Sequence, residues 1–189
     1  MLSLAALVFL FIPSCRSSHV GSVVSVECRN APLAYYIDDS LKIRLINSVC
    51  PGYSFKEERL LDYLEYFVIG YSSEFEIDEY KVWDLISNLK IETSAIPKKM
   101  PNVYDMKGKF LKSSPVAGLA LSPNWIWIEI KTKFICHTAL AHELVHIIIW
   151  RTQKVHADPD HEGTEFSGWT KKHTRLIKRV NSQLCELGI

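Results

Sequence analysis

The chain has 189 residues, 48% of them hydrophobic, with 22 lysines and arginines against 21 aspartates and glutamates and a formal net charge of +1. That length supports one domain with a substantial core and is too short for two ordinary ones. The balanced charge gives no footing for nucleic acid or for a strongly acidic partner, and neither is expected.

Leu2 to Ile12 is an uncharged apolar run of signal-peptide length, too short to span a bilayer as a stable helix. Pro13-Ser14-Cys15 follows, and the composition then turns polar at Arg16, Ser17, Ser18 and His19. A small residue and a cysteine closing such a run resemble the lipobox of bacterial lipoproteins, in which the cysteine is lipidated and becomes the mature N-terminus. The resemblance implies a signal peptide over residues 1–14, a membrane anchor through Cys15, and a mature domain over 15–189 on the periplasmic or cell-surface side. If Cys15 is not lipidated, the same leader implies a secreted protein. Export leaves Cys28, Cys50, Cys136 and Cys185 as an even set in a compartment that permits disulfides, with three possible pairings. No CxxC pair occurs, so a cysteine zinc site is not expected. The alternative is that some are free core thiols, Cys136 first among them because it stands just ahead of an apolar helix.

Val20, Val23, Val24 and Val26 alternate with small polar residues and suggest a strand over His19–Cys28, and Tyr35-Tyr36-Ile37 suggests another. Leu41 to Val49 reads as strand or short helix. Ser54 with Glu57 makes a capping box, after which Leu60, Leu61, Leu64, Phe67 and Val68 recur at helical spacing as far as Gly70. A second helix is predicted from about Asp78 to Lys90, burying Tyr80, Val82, Trp83, Ile86 and Leu89. Thr93 to Pro115 is rich in proline and lysine and aperiodic, a surface connection with a short hairpin around Asp105–Gly108. Val116 to Leu121 and Trp125 to Ile130 read as strands meeting at Ser122-Pro123-Asn124. The second places Ile126, Ile128 and Ile130 on one face, and Ile126 to Ile130 is a candidate edge strand for an extended peptide.

Phe134 to Trp150 is an apolar run interrupted by His142, Glu143 and His146, on a helix expected from Thr138 to about Lys154. Two histidines four residues apart lie one above the other on a helix and can hold one metal ion. Glu143 stands beside the first as a base for water. Burying two imidazoles and a carboxylate among Leu140, Leu144, Val145, Ile147 and Ile148 is costly unless something pairs with them. This is the HExxH pattern of zinc hydrolases, with Glu143 as the catalytic general base and His142 and His146 as ligands of one Zn2+ per chain.

Catalytic zinc needs a third protein ligand. The HExxHxxGxxH spacing is excluded, since Ile149 and Thr152 occupy its glycine and third-histidine positions. His156 would lie about 15 Å along a continuing helix from His146. Asp158-Pro159 ends that helix, and His161 follows the break. Six of the seven histidines fall between His137 and His173, and this clustering supports a site there. Glu162 or Glu165 is a rival third ligand, and so is Asp158 or Asp160. After Gly163, Trp169, His173, Leu176, Ile177, Val180 and Leu184 form one face of a last helix. Lys171, Lys172, Arg175, Lys178 and Arg179 fall mainly elsewhere, as a solvated face. His173 reads as a satisfied core residue, with oxyanion donor as the alternative.

His142-Glu143-x-x-His146, a break, and then His161-Glu162-Gly163-Thr164-Glu165-Phe166 with Trp169 resemble the SprT-like group of zincin metallopeptidases. The likeness covers about Thr138 to Trp169, with Glu162 inserted between histidine and glycine. It implies His161 as third ligand and an α+β fold, a single zincin-like domain with a small mixed sheet packed against the HExxH helix and flanking helices. The expected activity is hydrolysis of peptide bonds in a protein or peptide substrate. A non-catalytic surface lipoprotein, adhesin or scaffold, and a zinc amidase acting on cell-wall peptides are the alternatives.

Overall fold

A computed structural model describes residues 33–38, 40–47, 57–95, 98–99, 103–104, 110–111, 115–153 and 168–189. The fold is mixed α+β, as the sequence leads one to expect. Five strands form the main sheet: β1 (Leu33–Asp38), β2 (Ile43–Asn47), β3 (Lys90–Ser94), β8 (Gly118–Ser122) and β9 (Trp125–Glu129). Their order is β1-β2-β3-β9-β8. β2, β3 and β9 run parallel, while β1 and β8 lie antiparallel at the two edges. Two further pairs are short: β4 (Lys98–Lys99) with β7 (Pro115–Val116), and β5 (Val103–Tyr104) with β6 (Phe110–Leu111). The latter closes the hairpin expected around Asp105–Gly108.

One face of the sheet carries the core. Ile43, Leu45, Ile91, Ile126 and Ile128 point from successive strands at helices α1 (Glu57–Phe75), α3 (Leu140–Gln153) and α4 (Lys171–Glu186), and all five are fully buried. The alternation of β9 is as the sequence predicts, although Trp127, on the opposite face, is fully buried too. Within the stretch that reads as strand or short helix, Ile43–Asn47 is strand β2.

Three expectations are corrected. α1 runs through Gly70 to Phe75. Gly70 is there for packing, because a Cβ would sit 3.1 Å from both Leu176 and Val180 where α4 crosses α1. Helix α2 (Glu79–Ile86), capped by Asp78 through a bond from Tyr80 N, stops at Ser87. Asn88 then takes a left-handed φ of 51° and turns the chain into β3, so Leu89 is buried ahead of a strand while Tyr80 is 81% exposed on the first turn. The third concerns Cys136, which is bonded to Cys185 instead of being a free thiol.

Candidate metal and catalytic site on helix α3

Helix α3 is apolar around nearly its whole circumference, as a central helix must be. Its start is fixed from three sides. Thr138 Oγ1 donates to Ile135 O at 2.7 Å and accepts from Leu140 N at 3.3 Å. The Tyr63 hydroxyl, fully buried on α1, accepts from Ala141 N at 3.1 Å and donates to Asn181 Oδ1 on α4 at 2.7 Å. Two of the amides that a helix leaves unpaired at its N-terminus are thereby satisfied. At the far end Arg151 donates to Pro123 O, Leu85 O, Ser87 O and Asn124 Oδ1, all within 2.9 Å. One guanidinium thus joins α3 to the β8–β9 turn and to the end of α2.

Between these anchors His142 and His146 converge. Their Nε2 atoms lie 3.1 Å apart, and both rings are half-buried. The indole of Trp169 rests against both, 4.9 Å from each ring centroid, and its Nε1 donates to Thr174 Oγ1 at 3.1 Å. Gly168, just before it, has φ +89°, and a side chain there would collide with Gln153 at the end of α3. The chain therefore arrives at α4 pressed against α3.

Glu143 is 4% exposed and lies against the edge strand β8. A Cβ on Gly118 would come within 2.5 Å of its Oε1 and 2.8 Å of its Cγ. Burial pushes the carboxyl up to about 8, against the opposing effect of a hydrogen bond from the Ala120 backbone. That bond follows from the sheet register. Glu129 N donates to Ala117 O, and Gly118 faces Ile128, so antiparallel alternation turns the backbone groups of Gly118 and Ala120 away from β9, to the side where Glu143 lies. β9 itself lies between β3 and β8, so Ile126 to Ile130 is not the edge strand expected; among the described residues the outer strand is β8.

His173 is the satisfied core residue that its helix face suggests. Nδ1 accepts from Thr170 N at 3.0 Å in a capping box, and Nε2 lies 3.4 Å from the Tyr71 hydroxyl. Burial lowers its pKa to about 4 despite Glu74 nearby. It stacks on Phe75, with ring centroids 4.4 Å apart. His137 is exposed and bonded through Nδ1 to Thr132 Oγ1.

His161 lies outside the described residues, as do its rivals Asp158, Asp160, Glu162 and Glu165 and the leader with Cys15. The strand expected at His19–Cys28 and the capping box at Ser54 also lie outside them. Among the described residues, one group of three has metal-ligating atoms close together, Cys136, His137 and Cys185, but the disulfide occupies both sulfurs. A groove lined by Leu41, Leu61, Glu65, Tyr80, Trp83 and Asp84 is open on the far side of α1 and α2, and neither histidine of the pair lines it. No helix among the described residues is long and apolar enough to cross a membrane.

Tyr63, Gly118 and Ala120 are parts of this site that the sequence reading passes over. The small residues of Gly118-Leu119-Ala120, alternating along a strand, are the one available signal, since glycine inside a strand marks a close approach. No family model, curated protein or solved structure matches the chain.

Proposed function

We propose that the chain is a zinc-dependent peptidase of zincin type, exported and anchored by lipid at Cys15. The observation carrying this reading is the 3.1 Å approach of His142 Nε2 and His146 Nε2, with the Glu143 carboxyl buried one residue along. Zinc–nitrogen bonds of about 2.0–2.1 Å at a tetrahedral angle put two nitrogens about 3.3 Å apart, so the pair fits one ion. His161 is the third ligand in this reading, drawn from its place beyond the Asp158-Pro159 break. A mixed sheet whose antiparallel edge strand lies along the HExxH helix supports a zincin-like domain.

Zinc held there supplies Lewis acidity to water and to the scissile carbonyl. Glu143 accepts the proton of the attacking water and hands it to the leaving amine. Burial raises its pKa, and a cation held by the two histidines would oppose that rise, so metal and base would be coupled. The outer strand β8, beside Glu143, is where an extended substrate would pair through its backbone. Trp169 walls the histidines on the other side.

Metal analysis and peptide-library hydrolysis with the purified chain test the reading. About one zinc per chain is expected, none in His142→Ala, and full zinc with lost proteolysis in Glu143→Ala. Zinc-free protein that folds normally ends the proposal, and cleavage confined to peptidoglycan fragments replaces it with the amidase. The Cys136–Cys185 disulfide supports export, because such bonds persist in oxidising compartments. Fatty-acid labelling that survives Cys15→Ser would remove the anchor from the proposal.

A further inference from the structure

Cys136, His137 and Cys185 gather at the opposite end of the approach to α3. One ligating atom from each lies within 4.8 Å of the other two. Cys136 is 4% exposed, Cys185 half-buried and His137 exposed, so the group opens to solvent on the imidazole side. Its position is set by more than the disulfide. Cys136 N donates to Ile189 O at 3.2 Å, Ile189 N donates to Leu184 O at 3.0 Å, and Thr132 Oγ1 holds the imidazole through Nδ1 at 3.3 Å. The end of α4 and the 3₁₀ turn Ile135–His137 are therefore joined by a backbone bond as well as by the S–S link.

We propose that this cluster is a second, thiol-controlled metal site, in which reduced Cys136 and Cys185 together with His137 bind a thiophilic divalent cation such as zinc. Two low-molecular-weight thiols supply two electrons and two protons. They leave as their own disulfide, the Cys136–Cys185 bond breaks, and the two protein thiols give up their protons to solvent as the cation binds. Zinc–sulfur bonds of about 2.3 Å and a zinc–nitrogen bond of about 2.0 Å put the three donors about 3.5–3.8 Å apart. The two sulfurs, 2.03 Å apart in the disulfide, must therefore separate by about 1.7 Å once reduced, while the imidazole nitrogen already lies within 4.8 Å of both. The fourth position faces solvent. The crosslink between the approach to α3 and the end of α4 then exists in two chemical forms, covalent when oxidised and ionic when reduced. The site is separate from the His142–His146 pair and does not depend on the peptidase reading.

Cobalt(II) distinguishes the two sites, because only thiolate ligation gives an intense sulfur-to-metal charge-transfer band in the near ultraviolet. The full chain, reduced with a water-soluble phosphine, is expected to develop that band on cobalt addition, and the oxidised chain is not. His142→Ala/His146→Ala keeps the band. Cys136→Ser/Cys185→Ser loses it although the other cysteines remain. His137→Ala, at an exposed position, weakens cobalt binding at least tenfold while leaving the oxidised protein's melting temperature unchanged. The melting temperature of reduced protein rises toward the oxidised value when zinc is added and falls again with chelator. Absence of the band in reduced protein, its survival in the double serine variant, or unchanged affinity in His137→Ala overturns the proposal.

Discussion

Glu143 reaches its place only because residue 118 has no side chain. An alanine there must displace either the carboxylate or the strand, since its Cβ would also lie 2.8 Å from the Cβ of Ala139. Gly118→Ala is therefore expected to retain zinc while slowing peptide hydrolysis by about a hundredfold, the scale of an ångström-sized misplacement of a reacting group. Zinc content and kcat measured on the same preparation check this, and an unchanged kcat would show that Glu143 tolerates the shift. His173 makes a prediction of a different kind. Its folded pKa of about 4 lies below the ordinary 6.5, so the unfolded chain takes up that proton first as pH falls. Its contribution to stability is whole above about 6.5 and is lost as pH drops from there through 4. Protonation also breaks the bond from Thr170 N to Nδ1, opening the cap of α4. Proton NMR is expected to find this imidazole neutral until near pH 4. The sequence showed His173 on an apolar helix face, and the face was enough to read it as core; the tie to Tyr71, 102 residues away, was not legible.

At the scale of elements, α3 was legible almost to its start, because a long apolar run beginning near Thr138 is a local signal. The sheet was not. Alternation of Ile126, Ile128 and Ile130 identifies a strand and its inner face, but whether a strand lies at an edge depends on which others pair with it. Here β3, more than thirty residues earlier, covers one side of β9 and leaves β8 at the rim. Gly70 was misread for a related reason. Glycine at the end of an apolar stretch signals a helix stop, yet this one is needed by Leu176 and Val180 on a helix a hundred residues later. Arg151 shows how elements are locked together. Its planar fork reaches four acceptors in two segments at once, which an ammonium cannot do. Arg151→Lys is expected to cost about 1–3 kcal/mol in urea unfolding, with carbonyls of Leu85, Ser87 and Pro123 left partly unsatisfied. Hydrogen exchange in the β8–β9 turn should accelerate in the same variant. A null effect on both would mean that the turn is held by its strands alone.

In the molecule as a whole, α4 is tied to α3 and its approach at both ends. Cys185 ties its C-terminal end to the turn before α3, across a sequence separation of 49, and Trp169 presses its N-terminal approach against the histidines. Composition limited the cysteines to a few pairings and could not choose among them, since the choice depends on how α4 packs. Cys136 looked like a core thiol because its surroundings are apolar, and they are; its partner simply arrives from the far end of the chain. The stacking of Trp169 on both imidazoles also makes the protein its own optical instrument. A paramagnetic ion held between His142 and His146 would lie close to the Trp169 indole, one of five tryptophans in the chain. Addition of copper(II) or cobalt(II) to oxidised protein is therefore expected to quench a fixed fraction of the emission, and Trp169→Phe to remove that fraction and leave the rest. Occupancy of the histidine pair can then be followed by light alone, before any substrate is known.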